Sequence, residues 1–154
     1  MIRDIRYQGA IIRNDHILLI KHREHVTGRA YWVIPGGARE ADETDEACVQ
    51  REMREETKLD VIVERLLLEQ VGDPGGVYQR LKTYLCTVID GEPQPGHEPE
   101  FEVSQLYTIS EVRWFDLRNL SEWGEVKSDP FTFPLVQRIR ILLGYSAENP
   151  SDQE

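Results

Sequence analysis

The sequence is poor in cysteine, in histidine and in positive charge, and it has no long apolar run. Two cysteines, Cys48 and Cys86, supply neither a disulfide framework nor a zinc site, and they fit a reducing compartment. The longest apolar stretches, such as residues 66–68 and 141–143, fall far short of the roughly 20 residues that a bilayer crossing needs, so no membrane span is expected. The 18 basic residues stand against 28 acidic ones, a net charge of −10, which argues against a general binder of nucleic-acid backbone. If phosphate is handled at all, cations must be recruited to help. The first residues, Met1-Ile2-Arg3-Asp4-Ile5-Arg6, lack the apolar core of a secretion signal, and a cytoplasmic location is the expectation.

What is present is 154 residues, 40% hydrophobic and 30% charged, the composition of one globular domain. The expected division is a single domain over residues 1–145 and a polar tail over 146–154. Residues 7–13 and 16–21 are β-rich runs separated by Asn14-Asp15, a break that favours a tight hairpin. Residues 31–34 form a third strand that stops at Pro35-Gly36-Gly37, where a loop is expected. Thr44 is the expected N-cap of a helix that runs to about Lys58, with Asp45 and Glu46 at the positive end of its dipole. Residues 61–71 and 77–89 read as a second hairpin around the turn cluster 72–76. Residues 90–99, rich in proline and glycine, read as an exposed loop, residues 111–116 as a strand, and Pro134 as the first residue of a closing helix through Leu143.

Within the first helix Glu52, Glu55 and Glu56 are spaced i, i+3 and i+4, which gathers three carboxylates on one face. A solvated acidic face is the simplest account of such a pattern. The helical wheel argues against it: Cys48 and Leu59 project with Glu52, and Val49 lies near Glu56, while Gln50, Arg54 and Lys58 cover the opposite side. Three like charges turned inward repel one another unless a divalent cation neutralises them. An all-oxygen donor set suits Mg²⁺, with Mn²⁺ as a substitute, and Mg²⁺ commonly shares its shell with substrate phosphates.

From Gly37 the chain reads Gly-x5-Glu43-x7-Arg51-Glu52-Met53-Arg54-Glu55-Glu56-Thr57-Lys58-Leu59. This resembles the Nudix box, G-x5-E-x7-R-E-U-x-E-E-x-G-U with U a bulky aliphatic residue. The spacing is intact, and Trp32-Val33-Ile34-Pro35-Gly36-Gly37 resembles the usual strand entry. One position departs: Lys58 stands where the family has glycine, and a left-handed helix end there would carry an energetic cost for lysine.

The resemblance implies an α/β/α sandwich, a mixed β-sheet between helices, and a Mg²⁺-dependent hydrolase that cuts a diphosphate linkage in a nucleoside diphosphate derivative. By resemblance Glu52, Glu55 and Glu56 hold the metal, a backbone carbonyl of Gly37 is an additional ligand, and Arg51 orients the carboxylates. Glu43 either assists the metal shell or pairs with Arg51. The catalytic base is Glu56 or a loop acid among Glu98, Glu100 and Glu102, with Glu100 preferred, and His97 is expected at the surface. Nucleoside triphosphates, oxidised ones included, lead the substrate classes. ADP-ribose, dinucleoside polyphosphates and nucleotide sugars stay open, as does a non-hydrolytic nucleotide-binding domain. Tyr78, Trp123, Phe131 and Phe133 are candidates to grip a base, while Trp32 and Trp114 are expected to pack. The basic residues His22, Arg23, His25 and Arg29 are candidates to meet phosphate, Arg23 foremost. A small-molecule nucleotide is the expected partner, without nucleic acid or membrane, and a homodimer is left open.

Overall fold

Asn14 and Asp15 both adopt left-handed backbone conformations, with φ of 51° and 63°, as a two-residue hairpin turn demands. They join β1 (Arg3–Arg13) to β2 (His16–Glu24) in antiparallel register. The structure is a computed structural model that describes residues 3–97 and 106–146. β3 (Ala30–Val33) adds antiparallel to β2. The loop expected at Gly36 and Gly37 is instead a two-residue strand, β4 (Gly36–Gly37), with Tyr7 opposite Gly37 and Gln8 opposite Gly36. Glycine allows this approach, since a Cβ at Gly36 would lie 2.4 Å from the Tyr7 carbonyl oxygen.

The helix α1 (Asp45–Thr57) leads into the expected hairpin of β5 (Asp60–Val71) and β6 (Tyr78–Asp90), and β7 (Tyr107–Asp116) pairs antiparallel with β2. β6 runs parallel to β1. The strand order is therefore β3-β2-β1-β6-β5, with β4 on β1 and β7 on β2. The closing helix α2 (Thr132–Leu142) begins two residues before Pro134. The cause is Asp129, whose Oδ1 accepts the backbone N–H groups of Phe131 at 2.9 Å and Thr132 at 2.7 Å and so caps the helix upstream.

Strand alternation divides the core in two. Tyr7, Ile11 and Leu18 pack with Cys48, Val49 and Met53 of α1 on one side of the sheet. Ala10, Ile17 and Leu19 pack with Leu135, Val136 and Ile139 of α2 on the other, together with Trp32, Phe115 and Trp123. The mixed sheet between helices is the α/β sandwich that the box resemblance implies. Trp123 belongs to this core and not to a base-gripping surface: its ring lies 4.9 Å from that of Phe115, and its Nε1 donates to the Asp116 carbonyl at 2.7 Å. Phe133 packs edge-on against Trp123. Trp32 is buried as expected, and Arg13 lies over the half-buried Trp114.

The C-terminal end of α1 is fully accounted for. An α-helix leaves its last four carbonyls without a partner inside the helix, and here each finds one. Lys58 N–H donates to the Arg54 carbonyl at 3.1 Å, while His97, Gly96 and Gln94 donate to the carbonyls of Glu55, Glu56 and Thr57 at 3.1, 2.8 and 2.9 Å. The segment read as an exposed loop thus has mostly exposed side chains but a backbone bonded to the box helix. Lys58 takes the left-handed conformation at φ 66°, so the exit turn survives without glycine. Lys58→Gly should remove a penalty of about 1 kcal/mol and raise the melting temperature by roughly 2–4 °C, measured by calorimetry. Gly96→Ala should act oppositely, because a Cβ there would lie 1.8 Å from the Glu55 carbonyl oxygen. Losing the loop's hydrogen bonds should cost about 2 kcal/mol or more, read as an earlier denaturant midpoint.

Candidate active site

Thr44 starts α1 by accepting the Ala47 N–H at its side-chain oxygen, at 3.1 Å, with Asp45 and Glu46 in the first turn. The wheel expected from sequence is the one observed. Cys48, Val49, Glu52, Met53 and Glu56 are buried, whereas Gln50, Arg54 and Lys58 are exposed. Glu52 is 2% exposed and Glu56 1%, which sets aside a solvated acidic face for these two. Glu55 sits at the rim, half-buried.

Arg51 organises the acids around it. Its Nε and Nη2 donate to the two carboxylate oxygens of Glu43 at 2.6 and 2.8 Å, and Nη2 also reaches the Ala38 carbonyl at 3.1 Å. Its Nη1 donates to Glu52 Oε1 at 3.0 Å and to Glu55 Oε2 at 3.2 Å. Of the two roles open to Glu43, the structure has it in the bidentate pair with Arg51, and this hydrogen bond, working against partial burial, holds its carboxyl below the usual range. The same bond raises the Arg51 pKa, also against burial, with Glu52 and Glu55 adding to the rise.

The glycines of β4 close the site from the sheet side. Gly36 N–H donates to Glu56 Oε1 at 2.7 Å. Gly37 faces Glu52 so closely that a Cβ would lie 2.5 to 2.7 Å from the carboxylate atoms. Cys48 lies 3.9 Å from Arg51, but burial, aided by the Glu52 charge, pushes its thiol up to about 12, so it offers no thiolate. Among the described residues no three His, Cys, Asp or Glu side chains converge closely enough to enclose an ion by themselves. The donors at hand are carboxylate oxygens from one helix face and the Gly37 backbone. That set fits a hard divalent ion that keeps waters and shares its shell with phosphate, and it does not fit a closed zinc cage.

Across β1 from α1 lies a cleft of about 540 Å³. Arg6 and Gln8 form its floor, Tyr31, Tyr78, Tyr107 and Phe131 its aromatic walls. Arg6 is buried, and its Nη2 donates to the Ile34 carbonyl at 2.7 Å, two residues before the glycine that binds Glu56. Burial opposes the Arg6 charge, and the negative groups around it, Glu56 foremost and Glu52 among them, more than restore it, so the guanidinium keeps its charge although buried.

Of the residues that the sequence offered for substrate contact, Tyr78, Phe131, His22 and Arg29 line this cleft, whereas Arg23, His25, Trp123 and Phe133 do not. For Arg23 alternation along β2 is the reason: His22 and Glu24 face the cleft, so Arg23 between them points away, exposed, and donates to the Gly28 carbonyl. Arg29 lines the cleft in its place, tied to Glu24 at 3.1 Å. Glu98, Glu100 and Glu102 lie outside the described residues, and His97, just before them, is exposed. Sequence reasoning passed over Arg6, Gln8, Tyr31 and Tyr107 as site residues. A signal existed on β1, where Arg6 and Gln8 share the alternation of the buried Ala10, so two long polar side chains fall on an inward face.

With this geometry in view, the sequence profile described as "NUDIX domain" matches residues 5–136. The chain is 26% identical over 144 residues to an ADP-ribose pyrophosphatase of Mycobacterium tuberculosis, covering 92% of this chain and 67% of that protein. It is 30% identical over 96 residues to a putative 8-oxo-dGTP diphosphatase 2 of the same species, covering 61% and 67%. Across the curated relatives it matches, the chain spans 38% to 67% of their length. A NUDIX hydrolase from Nitrosomonas europaea shares the fold with a TM-score of 0.68 at 17% identity, covering 97% and 95% of the two chains. Members of this family generally use divalent metal ions. A box helix with intact acids, an arginine that gathers them, the two glycines beneath and the match over residues 5–136 lead to one assignment: the chain belongs to the Nudix family.

Proposed function

We propose that this chain cleaves the diphosphate linkage of a nucleoside diphosphate joined to a second group, with ADP-ribose as the leading substrate. The observation that carries the reading is the cleft of about 540 Å³, on whose floor Arg6 donates to the Ile34 carbonyl, two residues before the Gly36 that binds Glu56. A cleft of this size lies within the usual range for small-molecule sites and has room for a nucleotide derivative. The first relative above, named an ADP-ribose pyrophosphatase, supports the choice. Nucleoside triphosphates, oxidised ones included, are the second reading, supported by the relative named as a putative 8-oxo-dGTP diphosphatase.

In this account Glu52, Glu55 and Glu56, with the Gly37 carbonyl, hold a divalent ion, Mg²⁺ or Mn²⁺. Such an ion supplies a lowered pKa for water and charge stabilisation at the phosphoryl oxygens. Arg51 keeps the acids gathered by the hydrogen bonds described above. Glu56 accepts the proton of the water that attacks phosphorus: Gly36 fixes one of its oxygens at 2.7 Å, which sets the direction of the other. Glu100 is the alternative base. Arg6 and the tyrosines Tyr78 and Tyr31 orient the nucleotide, with Phe131 closing the wall. Arg6 donates to the Ile34 carbonyl at 2.7 Å, two residues before the glycine that binds Glu56, which supports phosphate binding toward the box end of the cleft.

The direct test is a substrate screen with Mg²⁺ or Mn²⁺, identifying products. AMP plus ribose 5-phosphate from ADP-ribose is the expected result, and nucleoside monophosphate plus pyrophosphate from triphosphates alone would move the assignment to the second reading. Glu56→Gln should lower kcat by about 10²–10⁴-fold with little change in melting temperature, and unchanged turnover would remove Glu56 from the chemistry. Gly37→Ala should displace the Glu52 carboxylate and weaken the Mn²⁺-induced rise in melting temperature that the wild-type protein is expected to show.

A further inference from the structure

Among the described residues, one buried nitrogen in the cleft is not used by the fold itself. His22 is 3% exposed, lies on β2 and lines the cleft. Its ring is stacked on Tyr107, with 4.1 Å between centroids and 16° between planes, and stands edge-on to Tyr31 at 5.8 Å. The two rings fix the plane of the imidazole. Its Nε2 is nevertheless buried without a hydrogen-bond partner among the described residues. A buried polar atom left in that condition costs stability, and native structures rarely keep one without a use.

The surroundings say which part of a nucleotide reaches it. Glu24, Asp73 and Asp129 line the same cleft as His22, together with the guanidinium groups of Arg6 and Arg29. The cations of the cleft are the groups suited to phosphate, and a buried ring nitrogen held between two tyrosines is suited to the uncharged nucleoside. Burial first, and the Arg6 charge second, hold the His22 pKa well below its usual value, so the ring is neutral at ordinary pH and suited to a neutral partner.

We propose that His22 determines base specificity in this cleft, with Nε2 hydrogen bonding to a polar edge atom of the nucleobase while Tyr31 and Tyr107 hold the ring in place. The proposal deepens the nucleotide-hydrolase reading and rests on it. A site built to pair with a polar group discriminates strongly against ligands that lack it, because the buried site atom is then stranded.

Calorimetric titration of the full chain with AMP, GMP, CMP and UMP, without added divalent ion, measures the preference. The wild-type protein should favour one base over the others by about tenfold or more, the worth of one well-made buried hydrogen bond. His22→Phe keeps a flat ring against Tyr107 and removes the nitrogen, and His22→Leu removes both. In whichever variant folds, the four affinities should converge to within about threefold, while the melting temperature of His22→Phe should be no lower than wild type. A packing role would weaken all four nucleotides together and leave their ratios intact. Unchanged ratios in either folded variant, or a wild-type protein without base preference, overturn the proposal. The reaction is judged separately. Hydrolysis of ADP-ribose with unchanged ratios in the variants defeats only the role of His22, and base preference that depends on His22 without hydrolysis of any diphosphate defeats only the reaction.

Discussion

The arrangement of this site depends on the Arg51 guanidinium. Three carboxylates within two turns of one helix repel one another, and two of them are buried where water does little to screen the repulsion. Arg51 answers with a planar fork whose donors reach Glu43, Glu52, Glu55 and the Ala38 carbonyl at once. It ties the loop ahead of α1 to the helix itself, so the acids and their entry loop are held by one group. A lysine at this position has no such fork, and its single ammonium point charge cannot keep a bidentate pair with Glu43 while reaching the helix acids. Leaving Glu43 or Glu52 without that partner would strand a partly or wholly buried charge, which is far more costly than any surface pair is worth.

The second constraint is the strand β1, which separates the metal-type site from the cleft. Tyr7 and Ile11 face α1, while Arg6, Gln8 and Ala10 face the other way. The acidic face of α1 and the cleft therefore lie on opposite sides of one strand. They communicate at its edge, where Arg6 binds the Ile34 carbonyl and Gly36 binds Glu56. Only glycine permits that edge, because β4 lies against β1 at a separation that leaves no room for a side chain at Gly36.

Features set by near neighbours were legible in the sequence, and features set by distant ones were not. The α1 face pattern, its Thr44 cap and the Asn14-Asp15 turn arise from residues a few positions apart. The parallel pairing of β1 with β6 joins residues such as Gln8 and Thr83, and no local pattern announces it. The same limit explains Arg23 and Arg29: which of two basic residues faces a cleft depends on strand parity, and a one-residue slip reverses the answer. Trp123 entered as a stacking candidate because it is an aromatic residue outside the box, and the core it joins, with the Asp116 carbonyl that accepts its indole N–H, was not visible in the sequence. At Lys58 the sequence raised a question of cost that the left-handed backbone now answers, the turn being kept despite the missing glycine.

Surface loops with several prolines and glycines are commonly regarded as free ground for grafting tags or epitopes. The segment before His97 has that composition, yet its amides are spaced to meet three successive carbonyls of the box helix. One residue inserted between Gln94 and Gly96 would put the donors out of step with their acceptors and loosen the turn that carries Glu55 and Glu56. The usable length of this loop is thereby set by the pitch of a helix far from it in the chain.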